Sequence, residues 1–530
     1  MRINSRRYFW KIWMIFVFII ATIFFTVLDY APFLHIDEFT IVDLGRTILN
    51  PRSDWSITWM ISENHPAINV FYLGAVFQEL TLQALGEYGP RISGIIGALV
   101  AATVLMAWLL KRRTPHKIVL ILGLVFLLDP IFVQAYTVGR LDGWAMAFCF
   151  LSCLSLRQDI YRSFTGLRSK LFIVFAGIAA ALAIFIWPSA ALLYPLILME
   201  LFLVTKKYRL EGKNIKNTLR PSILFSFGAL LAVILLTIPI ASLLKSSLSS
   251  ILDGILLNLH YGAANGVEQQ SFLSSDGIIT LLRILKFSPF LVILALTAAV
   301  IKRNSELIVA GILATMVIVL SLVYLNRVLY LIPYMILLVA AFYSNYYKLS
   351  WKSGASSFKI IGLILLLIWP ISISIIGRTT LAVQIRNEDN RKLMHLAAKE
   401  MIGPGNYSVY LPGPEFYYAG RALGWKMYRP YAAFGDTLSS AMLKEMIPKL
   451  DYVIMPEWEE DKVFDSLLTK KGIVGNGWYA LYEKQAQPQT VKTTNLHRLR
   501  NLFFIHPKAY GPYKLYARRK NTGLQIGQRD

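Results

Sequence analysis

Eleven apolar runs constrain what this chain can fold into. They lie at approximately 11–28, 88–110, 118–136, 140–156, 171–187, 188–205, 221–244, 278–301, 305–325, 328–346 and 358–377. A hydrocarbon core about 30 Å thick is crossed by roughly 20 residues of helix, and most of these runs have that length. The first run follows Arg2, Arg6, Arg7 and Lys11. That layout is shared with signal peptides, but no small-residue cleavage site precedes Asp29, so the run is expected to remain as the first span. Composition removes the alternatives. The chain is 56% hydrophobic and 16% charged, against about 25% charged for an ordinary soluble domain. Disordered chains lack this much Ile, Leu, Phe and Val. Only two cysteines are present, Cys149 and Cys153, one helical turn apart in an apolar run, which is too sparse for a disulfide scaffold or a metal cluster. The expected architecture is a polytopic, all-α membrane protein of about eleven transmembrane helices.

Lys and Arg in short loops set orientation. Basic residues crowd into alternate loops: Lys111–Arg113 with Lys117, then 157–170, 206–220, Lys302 with Arg303, and 348–359. The N-terminus falls on that same side, and the intervening loops are nearly free of Lys. The pattern predicts an N-terminus in the cytoplasm and a chain that emerges outside after about residue 378. The net charge of +23 is thereby a topology signal plus a basic tail, and no nucleic-acid partner is implied.

Two segments follow from this division. Residues 1–377 are expected to form the transmembrane domain, with long outer loops at 29–87 and 245–277. Residues 378–530 are expected to form an extracytoplasmic α/β domain with a basic tail. That domain mixes helical stretches (388–402, 437–449, 460–471) with β-like runs at Tyr407–Leu411, Asp451–Met455 and Trp478–Glu483. The basic residues near its end, Lys514 and Arg518 among them, suit a solvated tail near anionic headgroups.

The chemistry is expected in the outer loops, because long loops in a compact architecture are usually functional or disordered. The first is acidic, with Asp29, Asp37, Glu38, Asp43, Asp54, Glu63, Glu79 and Glu87 against Arg46 and Arg52. Its densest piece is His35-Ile36-Asp37-Glu38, just beyond the first span. A carboxylate near the apolar boundary can act as a general base, or the piece can be a solvated turn capping the next helix. Glu63-Asn64-His65-Pro66 can present two ligands to a cation or can simply open a helix. His260 stands in the second long loop. Arg140 and Asp142 interrupt an apolar stretch and can pair with each other, while an Arg at that depth also suits phosphate. Arg327 precedes Tyr330 and Pro333 at the same boundary, where snorkelling to headgroups is an alternative role.

In this order the motifs resemble those of the GT-C membrane glycosyltransferases, in particular the bacterial relatives of protein O-mannosyltransferases and aminoarabinose transferases. Asp37-Glu38 resembles the acidic pair after the family's first span. Glu63-Asn64-His65-Pro66 resembles its Glu-Lys-Pro-Pro or His-Pro-Pro segment, with His65 in place of the lysine and Ala67 in place of the second proline. Tyr88–Gly94 resembles the segment opening the next span, and Arg140-Leu141-Asp142 and Arg327 match two further landmarks. The resemblance implies a transferase that takes a hexosyl or pentosyl unit from a polyprenyl-phosphate donor to a hydroxyl acceptor. It implies Asp37 as base, Glu38 orienting Asp37 or the acceptor, and Arg140, Arg327 and His65 at the donor phosphate. A divalent metal ion would sit between Glu63 and His260, and no nucleotide cofactor is implied. Membrane lipids and a glycan, lipid or protein acceptor would be the partners, in the cell envelope at the cytoplasmic membrane. A flippase or transporter and a glycan ligase are the competing readings. Transporters place charge mid-span, whereas the spans here read as almost uncharged, Asp129 aside.

Overall fold

The structure is a computed structural model of the 530-residue chain. It describes residues 2–28, 36–50, 72–159, 167–211, 215–243, 282–320, 325–344, 354–380, 390–411, 416–428, 447–456, 468–479 and 513–519. The chain divides into two compact units, and neither is continuous in sequence. One comprises Met1–Leu28 and Pro66–Thr380, the other Asp29–His65 and Leu381–Asp530. The break after Thr380 lies close to the expected boundary at 377. The first outer loop, however, is divided between the two units.

The first unit is helical. Among the described residues, six helices are long and apolar enough to cross a membrane: Arg7–Thr26, Tyr72–Lys111, Leu167–Ile186, Pro188–Leu210, Leu219–Ile238 and Lys359–Thr380. The pair His116–Leu128 and Pro130–Thr137, bent by 54°, would make a seventh, and shorter apolar helices occupy Pro289–Lys302, Ser305–Val319 and Leu329–Phe342. Each of the eleven runs contains helix. Six or seven crossings by length is fewer than eleven because several runs, such as 305–325 and 328–346, hold helices below spanning length. The 40-residue Tyr72–Lys111 segment is not one straight rod: helix Tyr72–Leu85 and helix Gly89–Lys111 are separate, and the chain bends so far between them that a Cβ at Gly89 would lie 2.1 Å from the Thr81 carbonyl oxygen. Gly86 takes φ +72° in the turn Gly86–Tyr88. Pro90 then sits in the first turn of Gly89–Lys111, where its missing N–H costs nothing.

Three further breaks in the helices fall at prolines. At Asp129-Pro130 the missing proline N–H bends the segment. Asp129 caps the new helix, accepting from the Ile131 N–H at 3.0 Å, and it also accepts from the Ser288 hydroxyl. At Trp187-Pro188 the Trp187 backbone is extended and a 3₁₀ turn Pro188–Leu193 follows. After Pro370 the helix Gly354–Pro370 widens into π turns over Ile371–Gly377. The first and last breaks are tied together, because the Ser374 hydroxyl in the π turns donates to the Leu128 carbonyl at 2.6 Å.

Small residues set the closest helix approach. A Cβ at Gly177 would lie 2.1 Å from the Phe225 carbonyl oxygen, and one at Gly228 would lie 2.1 Å from that of Val174. Leu167–Ile186 and Ile215–Leu243 therefore cross backbone to backbone, which in lipid supplies contacts that larger side chains would prevent.

One expectation about charge is corrected. Glu200, inside Pro188–Leu210, is fully buried. It accepts from Trp108 Nε1 at 3.0 Å, from Arg157 Nη1 at 3.1 Å and from Arg112. Its two arginines lie near the C-terminal ends of Gly89–Lys111 and Asp142–Asp159. A buried carboxylate is tolerable when paired and hydrogen-bonded, and here one acid draws three helices together.

The second unit holds a five-stranded sheet of order β2-β1-β3-β5-β4. Its strands are β1 (Ser408–Tyr410), β2 (Lys426–Tyr428), β3 (Tyr452–Pro456), β4 (Ile473–Tyr479) and β5 (Tyr513–Arg518). β1 pairs in parallel with β2 and β3, while β5 runs antiparallel between β3 and β4. β1, β3 and β4 fall on or overlap the three β-like runs in the sequence, and the helix Asn390–Met401 lies within the expected 388–402 stretch. β5 does not fit a solvated tail. Tyr513, Leu515, Tyr516 and Ala517 are buried. Arg518 donates to the carbonyls of Leu450 at 2.8 Å, Ile447 at 3.0 Å and Pro448 at 2.9 Å. A strand hydrogen-bonded on both edges can carry cations where its alternate residues face the solvent, so basic composition hid an inner strand.

Candidate active site

Two clusters of buried polar side chains carry the site residues that are described. In the first unit one cluster forms around the turn between Pro130–Thr137 and Asp142–Asp159. Gly139 takes φ +74° there, and its carbonyl accepts from Gln78 Nε2 at 2.7 Å. The turn presents Arg140 to Asp142, Nε to Oδ2 at 2.8 Å. The other oxygen of Asp142 accepts from the Tyr330 hydroxyl at 2.8 Å. The Arg140 guanidinium also lies 5.2 Å from the centre of the Trp187 ring, at the second proline break. Arg140, Asp142 and Tyr330 are all buried. The pairing of Arg140 with Asp142 that the sequence allowed is thus formed, and Tyr330 and Trp187 complete it. Arg327 lies in the short helix Leu325–Val328, half-buried and one turn before Tyr330. Beside the same turn, Arg378 donates to the Thr137 hydroxyl at 2.7 Å.

In the second unit the helix Ile36–Leu49 carries the other cluster. Asp37 stands in its first turn, and the side chain of Asp37 is outside the described residues. Glu38 is fully buried. It accepts from Arg391 Nη2 at 3.2 Å and from the Tyr418 hydroxyl at 3.3 Å, and the Arg391 guanidinium lies 5.2 Å from the Tyr418 ring centre. Asp43, also fully buried, pairs with Arg46 at 3.0 Å and accepts from the Tyr417 hydroxyl at 3.4 Å. The Phe39 and Tyr417 rings meet at 5.5 Å. The segment from 38 to 48 is therefore a largely buried helix rather than a solvated turn.

Glu63, His65 and His260 lie outside the described residues, so the structure does not speak to the histidine–glutamate pairing expected for a metal. Among the described residues, no three histidine, cysteine or acidic side chains come together as a metal site. Sequence reasoning missed Arg391, Tyr417, Tyr418 and Trp187. The tyrosine pair and the lone Arg carry no spacing signal, and their partners are hundreds of residues away.

The chain shares its fold with solved structures of ArnT from Cupriavidus metallidurans, as the resemblance in motif order implied. The structure of ArnT from Cupriavidus metallidurans in the apo state matches with a TM-score of 0.57 and 11% identity, over 89% of this chain and 96% of that one. ArnT from the same organism bound to undecaprenyl phosphate matches with a TM-score of 0.52 and 12% identity, over the same 89% and 96%. The Archaeoglobus fulgidus oligosaccharyltransferase in the apo form matches with a TM-score of 0.45 and 13% identity, over 86% of this chain and 73% of that one. No protein-family model matches the sequence, and no curated protein matches it.

Proposed function

We propose that this protein is a membrane glycosyltransferase that moves a sugar from a polyprenyl-phosphate donor to a hydroxyl acceptor. The observation that carries the reading is the shared fold along 89% of the chain with ArnT, whose structure holds undecaprenyl phosphate. The order of motifs in the sequence supports it independently. In the reaction, the Asp37 carboxylate takes the proton of the acceptor hydroxyl. The acceptor oxygen forms a bond to the anomeric carbon as the bond from that carbon to the donor phosphate oxygen breaks. The electron pair leaves with the polyprenyl phosphate. Arg140, Arg327 and His65 hold the negative charge that develops there, a stabilisation that is strongest where water is excluded. Arg140 suits the task because Asp142 and Trp187 already fix its guanidinium. Glu63 and His260 are the pair that would hold a divalent ion, whose charge would further stabilise the departing phosphate. The basic loops support a cytoplasmic N-terminus and a reaction on the outer face of the cytoplasmic membrane, with the second unit outside.

The test compares cells carrying the wild type with cells carrying Asp37→Asn. Mass spectrometry of envelope glycans is expected to show one sugar modification present in the first and lost by at least a hundredfold in the second, at equal amounts of membrane-inserted protein. Equal modification in both strains sinks Asp37 as base. Absence of any difference between wild type and a deletion strain sinks the transferase reading altogether.

A further inference from the structure

The geometry points to Arg391 and Tyr418 as positioning residues of the transfer reaction, acting through Glu38 to fix the helix that carries Asp37; this rests on the reading of Asp37 as base. Glu38 and Asp43 are five residues apart on Ile36–Leu49, about 7.5 Å along the helix axis at the usual rise. Each is fully buried, and each is engaged by one of two adjacent tyrosines. Tyr418 donates to Glu38 at 3.3 Å and Tyr417 to Asp43 at 3.4 Å. Arg391, from Asn390–Met401, adds an ion pair to Glu38 at 3.2 Å and stands 5.2 Å from the Tyr418 ring centre. Two grips at different heights prevent the helix from sliding or turning as a rigid body. Asp37 is the residue before the upper grip, so its backbone is fixed by the C-terminal part of the chain. Asp29–His65 likewise belongs to the same compact unit as Leu381–Asp530.

Glu38 therefore orients the reaction by being held, and its carboxylate is already occupied by protein donors. The C-terminal part of the chain, in turn, is a component of the catalytic machinery. A misplacement of a reacting group by about 1 Å can cost on the order of a hundredfold in rate, so the grip matters without any contact to substrate.

Two measurements on the full-length protein test this. The first is hydrogen exchange of peptides covering 36–49 in lipid nanodiscs. Arg391→Ala is expected to raise exchange there at least tenfold and Arg391→Lys by less, because lysine keeps the charge but not the fork. Lys399→Ala, at an exposed position of the same helix, is expected to change nothing. The second reads envelope glycans in cells beside the binding of undecaprenyl phosphate to the purified variant. Arg391→Ala is expected to lower the modification 10- to 100-fold while affinity for undecaprenyl phosphate stays within twofold. Unchanged exchange in Arg391→Ala overturns the proposal. So does raised exchange with full modification, and so does a loss of undecaprenyl phosphate affinity in step with the product. If wild-type cells show no modification, the transferase reading fails, and the exchange measurement still decides the grip.

Discussion

Arg140, Asp142 and Tyr330 form a buried ion pair with a phenol on its second carboxylate oxygen. Taking one partner from such a pair strands the other charge, at about 3–5 kcal/mol. Removing a single hydrogen bond to a charged group costs less, about 1.5–3 kcal/mol. Chemical unfolding in mixed micelles is thus expected to rank Arg140→Met well below Tyr330→Phe in stability, with Arg140→Met/Asp142→Asn recovering part of the loss. A single Arg140→Met variant as stable as wild type would refute the pair as a stabilising contact. Arg140 and Asp142 were legible in the sequence because charge inside an apolar stretch is conspicuous. Their third member was legible only as a landmark, since Tyr330 lies 188 residues from Asp142. Glu200 was not legible as a centre, because its arginines, 88 and 43 residues away, look like ordinary loop cations in the sequence.

Among the elements, one tight constraint is the crossing of Leu167–Ile186 with Ile215–Leu243. Any side chain at Gly228 must push a carbonyl aside, and overpacking of this kind costs typically about 1–3 kcal/mol. Gly228→Leu is expected to lower the melting temperature of the detergent-solubilised protein clearly. Leu230→Val, at a position 58% exposed on the same helix, is expected to be neutral. Equal melting of the two variants would argue against the crossing. The positions of helices were readable from apolar runs, including the break at 187–188. Their lengths were less readable, because several runs, such as 305–325 and 328–346, hold helices shorter than the run itself. Strand β5 was unreadable for a different reason: Lys514 and Arg518 mask an alternation that only its pairing with β3 and β4 makes meaningful.

In the whole molecule, the second unit is built from two distant pieces of chain. Cutting at the sequence boundary would remove Ile36–Leu49 and uncover Tyr417, Tyr418 and Arg391. Residues 381–530 alone are expected to aggregate in size-exclusion chromatography. The same residues with 29–65 attached through a flexible linker are expected to elute as a monomer. Monomeric behaviour of 381–530 without the added piece would refute the division. The sequence could not show this division, since composition shifts mark where a chain leaves the membrane and not which excursions pack together.

The distance between Glu38 and Arg391, 353 residues, also has a meaning in time. A ribosome working at roughly 5–20 residues per second needs on the order of 20–70 s to travel that far. For that interval the nascent Ile36–Leu49 helix exists without the arginine and tyrosines that answer its acids, while most of the membrane helices are being inserted. The proposed base is thus among the first residues made, and a chain interrupted before Arg391 emerges would leave an inserted helical bundle without the side chains that grip the helix carrying it.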